Sequence, residues 1–223
     1  MTKLVRGLAA SCLLVFSPAV ASAQSLSPTL QKIRDSGMIT IGNRDSSVPF
    51  SYLDGGQKPI GFSLDLCNLV VAKVKARLRQ PDLKVTYQAV NSSNRIPLVK
   101  NGTVDIECGS TANTIARQQE VAYSVIFYAP QFKWISLKSS GLKTTDDLKG
   151  KTVAVTQGTN TSQFVAKLNT EKGLGMKILQ GKDHAESFLL VETGRASAFM
   201  EDDILLAGLK ATAGSPDNFA FLT

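Results

Sequence analysis

The amino-acid sequence predicts an α/β fold of two lobes joined by a hinge. Short β-branched runs alternate with helix-period runs along residues 28–211, the pattern of strand–helix–strand units with mixed, largely parallel sheets. The rhythm runs twice, once on each side of residues 125–137, a segment rich in aromatic and β-branched side chains with Pro130 inside it. Such a segment suits a strand crossing from one lobe to the other, with the hinge near residues 126–136. Ligand is then expected between the lobes, at the carboxyl ends of the strands.

The elements follow in order. Ser27 and Pro28 supply a cap and a first helical position, Leu30 and Ile33 share a face, and Gly37 stops the helix. Residues 38–41 form the first strand. Residues 63–79 carry Leu64, Leu66, Leu69, Val70, Val74 and Leu78 at helical spacing. Residues 85–90 alternate like a strand, residues 94–100 read as a short helix ended by Gly102, and residues 104–108 as the next strand. Beyond the crossing, strands are expected at 152–155, 176–179 and 196–200. Helices are expected at 161–168, 185–192 and 204–211, with Gly194 stopping the middle one.

Residues 1–23 read as a secretory signal. Lys3 and Arg6 precede an apolar run, and Ala21-Ser22-Ala23 places small residues where a signal peptidase reads, so cleavage is expected before Gln24. Pro18 interrupts the run, which is shorter than the roughly 20 apolar residues of a spanning helix. Losing Lys3 and Arg6 lowers the formal charge from +7 to +5. The remaining basic residues are dispersed apart from Lys73, Lys75, Arg77 and Arg79, which alternate as on a solvated helix face. With an export signal this argues against nucleic acid as a partner. Cys67 and Cys108 outlast the signal, and both a disulfide and buried free thiols stay open. One histidine and two scattered cysteines offer no metal-ligand spacing and no Ser-His-Asp or Cys-His arrangement. No metal or cofactor is expected.

Chemistry is expected at the strand ends. The first strand runs into Gly42-Asn43-Arg44-Asp45-Ser46-Ser47, the strand at 104–108 into Gly109-Ser110-Thr111, and the strand at 152–155 into Thr156-Gln157-Gly158-Thr159-Asn160-Thr161. Small donor-rich residues there, the last set opening a helix, suit a carboxylate or a phosphate. Arg44, Arg95 and Arg117 gather near the same ends. A guanidinium grips a carboxylate with two parallel hydrogen bonds. His184, after Asp183 and ahead of a helix, reads first as a capping or packing residue. Of Asp202 and Asp203, one suits an N-cap and the other an ammonium group.

Five stretches carry a resemblance. They are Asn43-Arg44-Asp45-Ser46-Ser47-Val48-Pro49-Phe50-Ser51-Tyr52, Ser93-Asn94-Arg95-Ile96-Pro97-Leu98, residues 101–111, Lys182-Asp183-His184, and Ala198-Phe199-Met200-Glu201-Asp202-Asp203. In these the chain resembles the glutamate/aspartate-binding periplasmic proteins of ABC importers. The resemblance implies a Venus-flytrap fold, with residues 24–130 as first lobe and 131–223 as second. It implies that Arg44, Ser92, Arg95 and His184 hold the ligand's side-chain carboxylate. Ser110, Thr111, Arg117 and the Gly158-Thr159 turn would hold the α-carboxylate, and Asp202 the α-ammonium. It also implies a monomer in the periplasm that serves an inner-membrane ABC permease. Ala112 and Asn160 stand where relatives tend to carry a hydroxyl. The sequence stops at Thr223, where the family's chain crosses back, so an incomplete first lobe with exposed apolar surface is expected. Two other readings share the fold: a periplasmic dehydratase-like enzyme and the ligand-sensing domain of a receptor.

Overall fold

The structure, a computed structural model, describes residues 25–223; the signal expected at residues 1–23 lies outside them. α1 (Pro28–Ser36) starts where the Ser27 hydroxyl accepts the Leu30 N–H and ends at Gly37, whose φ of 64° is left-handed. β1 (Met38–Asn43) runs two residues beyond the expected strand. A small antiparallel sheet follows, made of β2 (Ser46–Ser47), β3 (Ser51–Leu53) and β4 (Pro59–Ile60), which the sequence pattern did not suggest. α2 (Phe62–Leu78), β5 (Lys84–Ala89), α3 (Arg95–Lys100) and β6 (Ile106–Glu107) come next.

β5 and β6 flank β1, each parallel to it. β6 is shorter than the strand expected at 104–108, because Val104 turns its N–H back to the Leu98 carbonyl at the end of α3. Alternate residues Ile39 and Ile41 pack on Ile33 of α1 and on Leu64 and Val71 of α2. Cys67 of α2 and Cys108 after β6 are joined by a disulfide, which resolves the alternatives left open by their spacing. Leu69, Val70, Val125 and Phe127 remain exposed, and a groove of about 440 Å³ runs between α2, α3 and residues 121–127.

The crossing departs from expectation. After α4 (Ile115–Gln118), residues 121–131 form neither helix nor strand, and β7 (Phe132–Leu137) begins only beyond Pro130. Residues 125–128 are exposed without a partner strand, and Pro130 has no N–H for a ladder. The strand expected over 125–137 is therefore confined to its second half.

β8 (Thr152–Thr156), α5 (Asn160–Glu171), β9 (Lys177–Gly181), α6 (His184–Glu192), β10 (Ala198–Asp202), α7 (Asp203–Thr212) and β11 (Phe219–Phe221) complete the chain. The second sheet has the order β11-β7-β10-β8-β9. β8 is parallel to β9 and β10, whereas β7 is antiparallel to β10 and β11. This sheet is mixed, while the β5-β1-β6 sheet is parallel throughout. Trp134, Val153, Val155, Ala198 and Met200 face one core with Val165 of α5. Ile135, Ala154 and Phe199 face the other with Phe188 of α6 and Leu206 of α7. Burial on both faces explains why these strands read as continuous apolar runs. β10 lies two residues later than expected, since the Ala196 N–H closes the turn on Leu190 and Asp202 pairs with Phe132.

Candidate functional site

The ends of β1, β6, β8 and β10 converge between the two sheets. Arg44, just past β1, is 1% exposed, and its backbone N–H donates to the Ser51 hydroxyl at 2.9 Å. That bond ties the small antiparallel sheet to the turn and aims the side chain inward. Both terminal guanidinium nitrogens are buried without a protein partner. Arg95 opens α3. The Asn91 side-chain oxygen accepts the Ser93 and Asn94 N–H groups at 2.9 and 3.0 Å, a turn that delivers Arg95 to the interior. Its Nε and Nη1 likewise lack a protein partner, as do the buried hydroxyls of Ser92 and Thr111.

Two buried guanidinium groups repel and are poorly solvated. Burial, then the Arg44 charge, pulls the Arg95 pKa down to about 9. Burial lowers that of Arg44 as well, opposed by Glu107, Glu201, Asp183 and Asp45. An arginine keeps its charge in a protein interior, and two such groups with unpartnered nitrogens favour an anion beside them.

Arg117 of α4 joins the halves. Its Nη1 donates to the Ala112 carbonyl at 3.1 Å and its Nη2 to the Gly158 carbonyl at 3.3 Å. Gly158 has φ of 77°, and a Cβ there would stand 2.7 Å from Ser93 Cα and 2.8 Å from the Ser92 carbonyl. Only a glycine permits so close an approach of the two backbones. Thr159 caps α5 through the Ser162 N–H and donates to the Thr156 carbonyl at 2.7 Å. The Ala185 N–H donates to the Ser46 hydroxyl at 3.4 Å, a further link across the cleft.

His184 does not cap its helix. Asp183 does so, accepting the Glu186 N–H at 2.9 Å, and His184 turns inward at 1% exposure. Its Nδ1 lies 3.0 Å from the Thr156 hydroxyl and 3.4 Å from Glu201 Oε2, while Nε2 is buried with no protein partner. Burial, reinforced by Arg44 and Arg95, holds its pKa well below the usual histidine value, so the ring is neutral at pH 7.

The two aspartates divide. Asp203 accepts the Tyr128 O–H at 3.2 Å and the Ile204 N–H at 2.8 Å. Asp202 ends β10, is buried, and leaves Oδ1 without a protein partner. Burial and then Asp203 push its pKa up to about 6, with Arg95 and Arg117 opposing.

Ser110, Thr111 and Asp202 line a cavity of about 270 Å³ together with Phe50, Tyr123 and Tyr128. Arg95 and Thr111 line the neighbouring groove, whereas Arg44, Ser92, Gly158, Thr159 and His184 line neither. Electrostatics still binds the set, since Arg44 and Arg95 act on each other and on His184, and Arg95 and Arg117 act on Asp202. Two acids, buried Glu201 and half-buried Glu107, are not singled out by the sequence. Glu201 accepts the Thr161 O–H at 3.1 Å and the Asp202 N–H at 3.2 Å, and Glu107 carries an unpartnered Oε1. An acid following the apolar run Ala198–Met200 was the available signal for Glu201.

The chain is 49% identical over 207 residues to an L-glutamate/L-aspartate-binding protein of Pseudomonas aeruginosa, covering 92% of this chain and 68% of that one. It is 46% identical over 216 residues to a glutamate/aspartate import solute-binding protein of Salmonella typhimurium, covering 97% and 70%. A solved ABC transporter/periplasmic binding protein from Brucella ovis with glutathione bound superposes with a TM-score of 0.77 at 20% identity, covering 89% of this chain and 62% of that one. At that identity the likeness shows the fold alone. Residues 39–189 match one family throughout. The chain belongs to the bacterial extracellular solute-binding proteins, family 3.

Proposed function

We propose that this protein is the periplasmic solute-binding component of an ABC importer and captures glutamate or aspartate between two lobes, residues 24–130 and 131–223. The observation that carries the reading is the set of buried polar atoms without protein partners. Arg44, Arg95 and His184 Nε2 are donors or cations, and Asp202 Oδ1 is an anion. Buried polar groups are satisfied in nearly all native structures, so a ligand that complements them carries two negative groups and one positive. A dicarboxylic amino acid has that charge pattern. The relatives named for glutamate and aspartate support the same ligand class.

In this reading Arg44, Ser92, Arg95 and His184 hold the side-chain carboxylate. Ser110, Thr111, Arg117 and the Gly158–Thr159 turn hold the α-carboxylate, at the N-terminal end of α5 where backbone N–H groups point outward. Asp202 pairs with the ammonium. Neutral and basic amino acids are rejected because they leave buried site charges unpaired. The role is binding without turnover, followed by delivery to a permease, after export with loss of residues 1–23. Of the hinge expected at 126–136, residues 126–131 are free of helix and strand and would serve as the hinge, letting contacts from both lobes drive closure.

Calorimetry with glutamate, aspartate, glutamine and arginine tests the ligand class. The acidic pair is expected to bind, with glutamine and arginine at least about tenfold weaker. Arg117→Met is expected to weaken glutamate binding by about tenfold or more, because a charged hydrogen bond contributes roughly 1.5–3 kcal/mol. Equal binding of all four ligands, or an unchanged affinity in Arg117→Met, contradicts the assignment.

A further inference from the structure

Glu201 lies at the floor of the site without touching either cavity. It is 2% exposed and belongs to β10, one residue before Asp202. Oε2 stands 3.4 Å from His184 Nδ1, on the opposite side of the ring from the unpartnered Nε2. The other neighbour of Nδ1 is the Thr156 hydroxyl at 3.0 Å, which also meets Ser187 Oγ at 2.9 Å. A hydroxyl donates or accepts with equal ease, so Thr156 suits either tautomer of the ring. Glu201 does not. Ionised, it only accepts, and it draws the histidine proton to Nδ1, leaving Nε2 as a bare acceptor. Protonated, it donates to Nδ1, and the ring's own proton sits on Nε2. Moving the shared proton from Glu201 to the ring also leaves a proton on Nε2. The donor at Nε2 disappears only when the pair loses a proton.

We propose that Glu201 and His184 share one proton that holds His184 Nε2 as a hydrogen-bond donor to the ligand's side-chain carboxylate, making Glu201 a positioning residue whose proton is required for capture of an acidic ligand. This rests on the reading that places His184 against that carboxylate. The surroundings decide where the proton sits near neutral pH. Burial disfavours charge on both groups; Arg44 past β1 and Arg95 on α3 further oppose a positive imidazolium, and Asp202 on β10 opposes a negative Glu201, against which Arg95 pulls the other way. Asp183 ahead of α6 and Glu107 of β6 act on Arg44, and Asp203 of α7 acts on Asp202. Thr161 of α5 and the Asp202 N–H donate to the Glu201 oxygens and partly offset its burial. The balance leaves Glu201 titrating at about 8 and His184 neutral. The carboxyl pKa is raised, so the proton is present below about pH 8 and is lost as pH rises through that value.

The sequence contains a single histidine, so nitrogen-15 spectra of the imidazole report this ring alone. In the ligand-free protein at about pH 7 the proton is expected on Nε2, moving to Nδ1 as the pH is raised past about 8. In Glu201→Gln the amide donates to Nδ1 at every pH, and the Nε2 proton is expected to stay. Calorimetry supplies the second readout. Between about pH 7 and 8, where Arg95 with its pKa of about 9 stays mostly charged, glutamate affinity of the wild type is expected to fall about twofold, with proton uptake on binding. Glu201→Gln is expected to show neither the fall nor the uptake. An Nδ1 proton in the wild type at about pH 7 overturns the proposal, as do identical pH profiles for wild type and Glu201→Gln. Absence of glutamate binding by the wild type at about pH 7 overturns the ligand reading instead, and the ligand-free tautomer still decides where the proton resides.

Discussion

Asp202 sets two opposed pH responses. Its pKa is pushed up to about 6 by burial and by Asp203, so the carboxyl is ionised at pH 7 and neutral at pH 5. The ionised form is the one that pairs with an ammonium. Glutamate affinity is expected to fall about tenfold between about pH 7 and pH 5, and Asp202→Asn is expected to be weak and flat over the same range, as calorimetry would show. Stability moves the other way. A carboxyl that binds its proton more tightly folded than unfolded favours the fold below its unfolded value, and loses that contribution as pH rises through about 6. Thermal melts of the ligand-free protein at pH 7 are therefore expected to show Asp202→Asn at a higher Tm than wild type. A lower Tm would mean that Asp202 has a structural partner in the fold. The same residue illustrates what sequence leaves open, because Asp202 and Asp203 are adjacent and chemically identical. The fold distinguishes them, burying Asp202 with its Oδ1 unpartnered and bringing the Tyr128 O–H and the Ile204 N–H to Asp203.

At the scale of one element, the turn from β8 into α5 does two things at once. Thr159 accepts the Ser162 N–H of the first turn, and Gly158 brings the backbone against Ser92 and Ser93. Gly194 offers a matched control, since its φ of 71° is equally left-handed but nothing lies within 4 Å of its would-be Cβ. Each glycine-to-alanine change is expected to cost about 1–2 kcal/mol of stability for the left-handed conformation. Gly158→Ala is also expected to weaken glutamate binding by at least about tenfold, because its methyl group holds the two backbones apart, whereas Gly194→Ala binds as wild type. Denaturant melts and calorimetry on both variants check this. Equal affinities would mean that the contact with Ser92 and Ser93 is not part of the bound state.

For the whole molecule, the Cys67–Cys108 bond ties α2 to the end of β6 across 41 residues. That loop contains β5 and α3, and so Ser92 and Arg95. By chain entropy alone, closing a loop of this length contributes about 4 kcal/mol. Reduction is expected to lower the denaturant midpoint of the protein while second-sheet packing, which has no cysteine, supplies the remaining stability. An unchanged midpoint after complete reduction would show that the link does not constrain the unfolded chain. The bond also braces the half whose core is covered on fewer sides, where Leu69, Val70 and Phe127 stay exposed. No helix among the described residues is long and apolar enough to cross a membrane.

What the sequence determined by itself was the alternation of the longer strands and helices and several of their caps, though not the short β2, β3, β4, α4 or β11. Ser27, Gly37 and the apolar runs around residues 152–155 act within a few residues of their own position, and such signals are visible without the fold. Motifs around Arg44, Arg95, His184 and Asp202 pointed to a binding cleft for the same reason, each standing at a strand end or helix start. Tertiary structure alone decided the rest. It delayed the start of the crossing strand to Phe132, because a strand exists only where a partner ladder does. It turned His184 inward rather than leaving it as a helix cap, since Asp183 took the capping bond. It brought Gly158 against Ser92 and the Ala185 N–H to Ser46, contacts between segments far apart in the chain. It also placed Glu201 behind His184. Whether a buried group has a partner depends on what the fold carries to its side, and no local pattern encodes that.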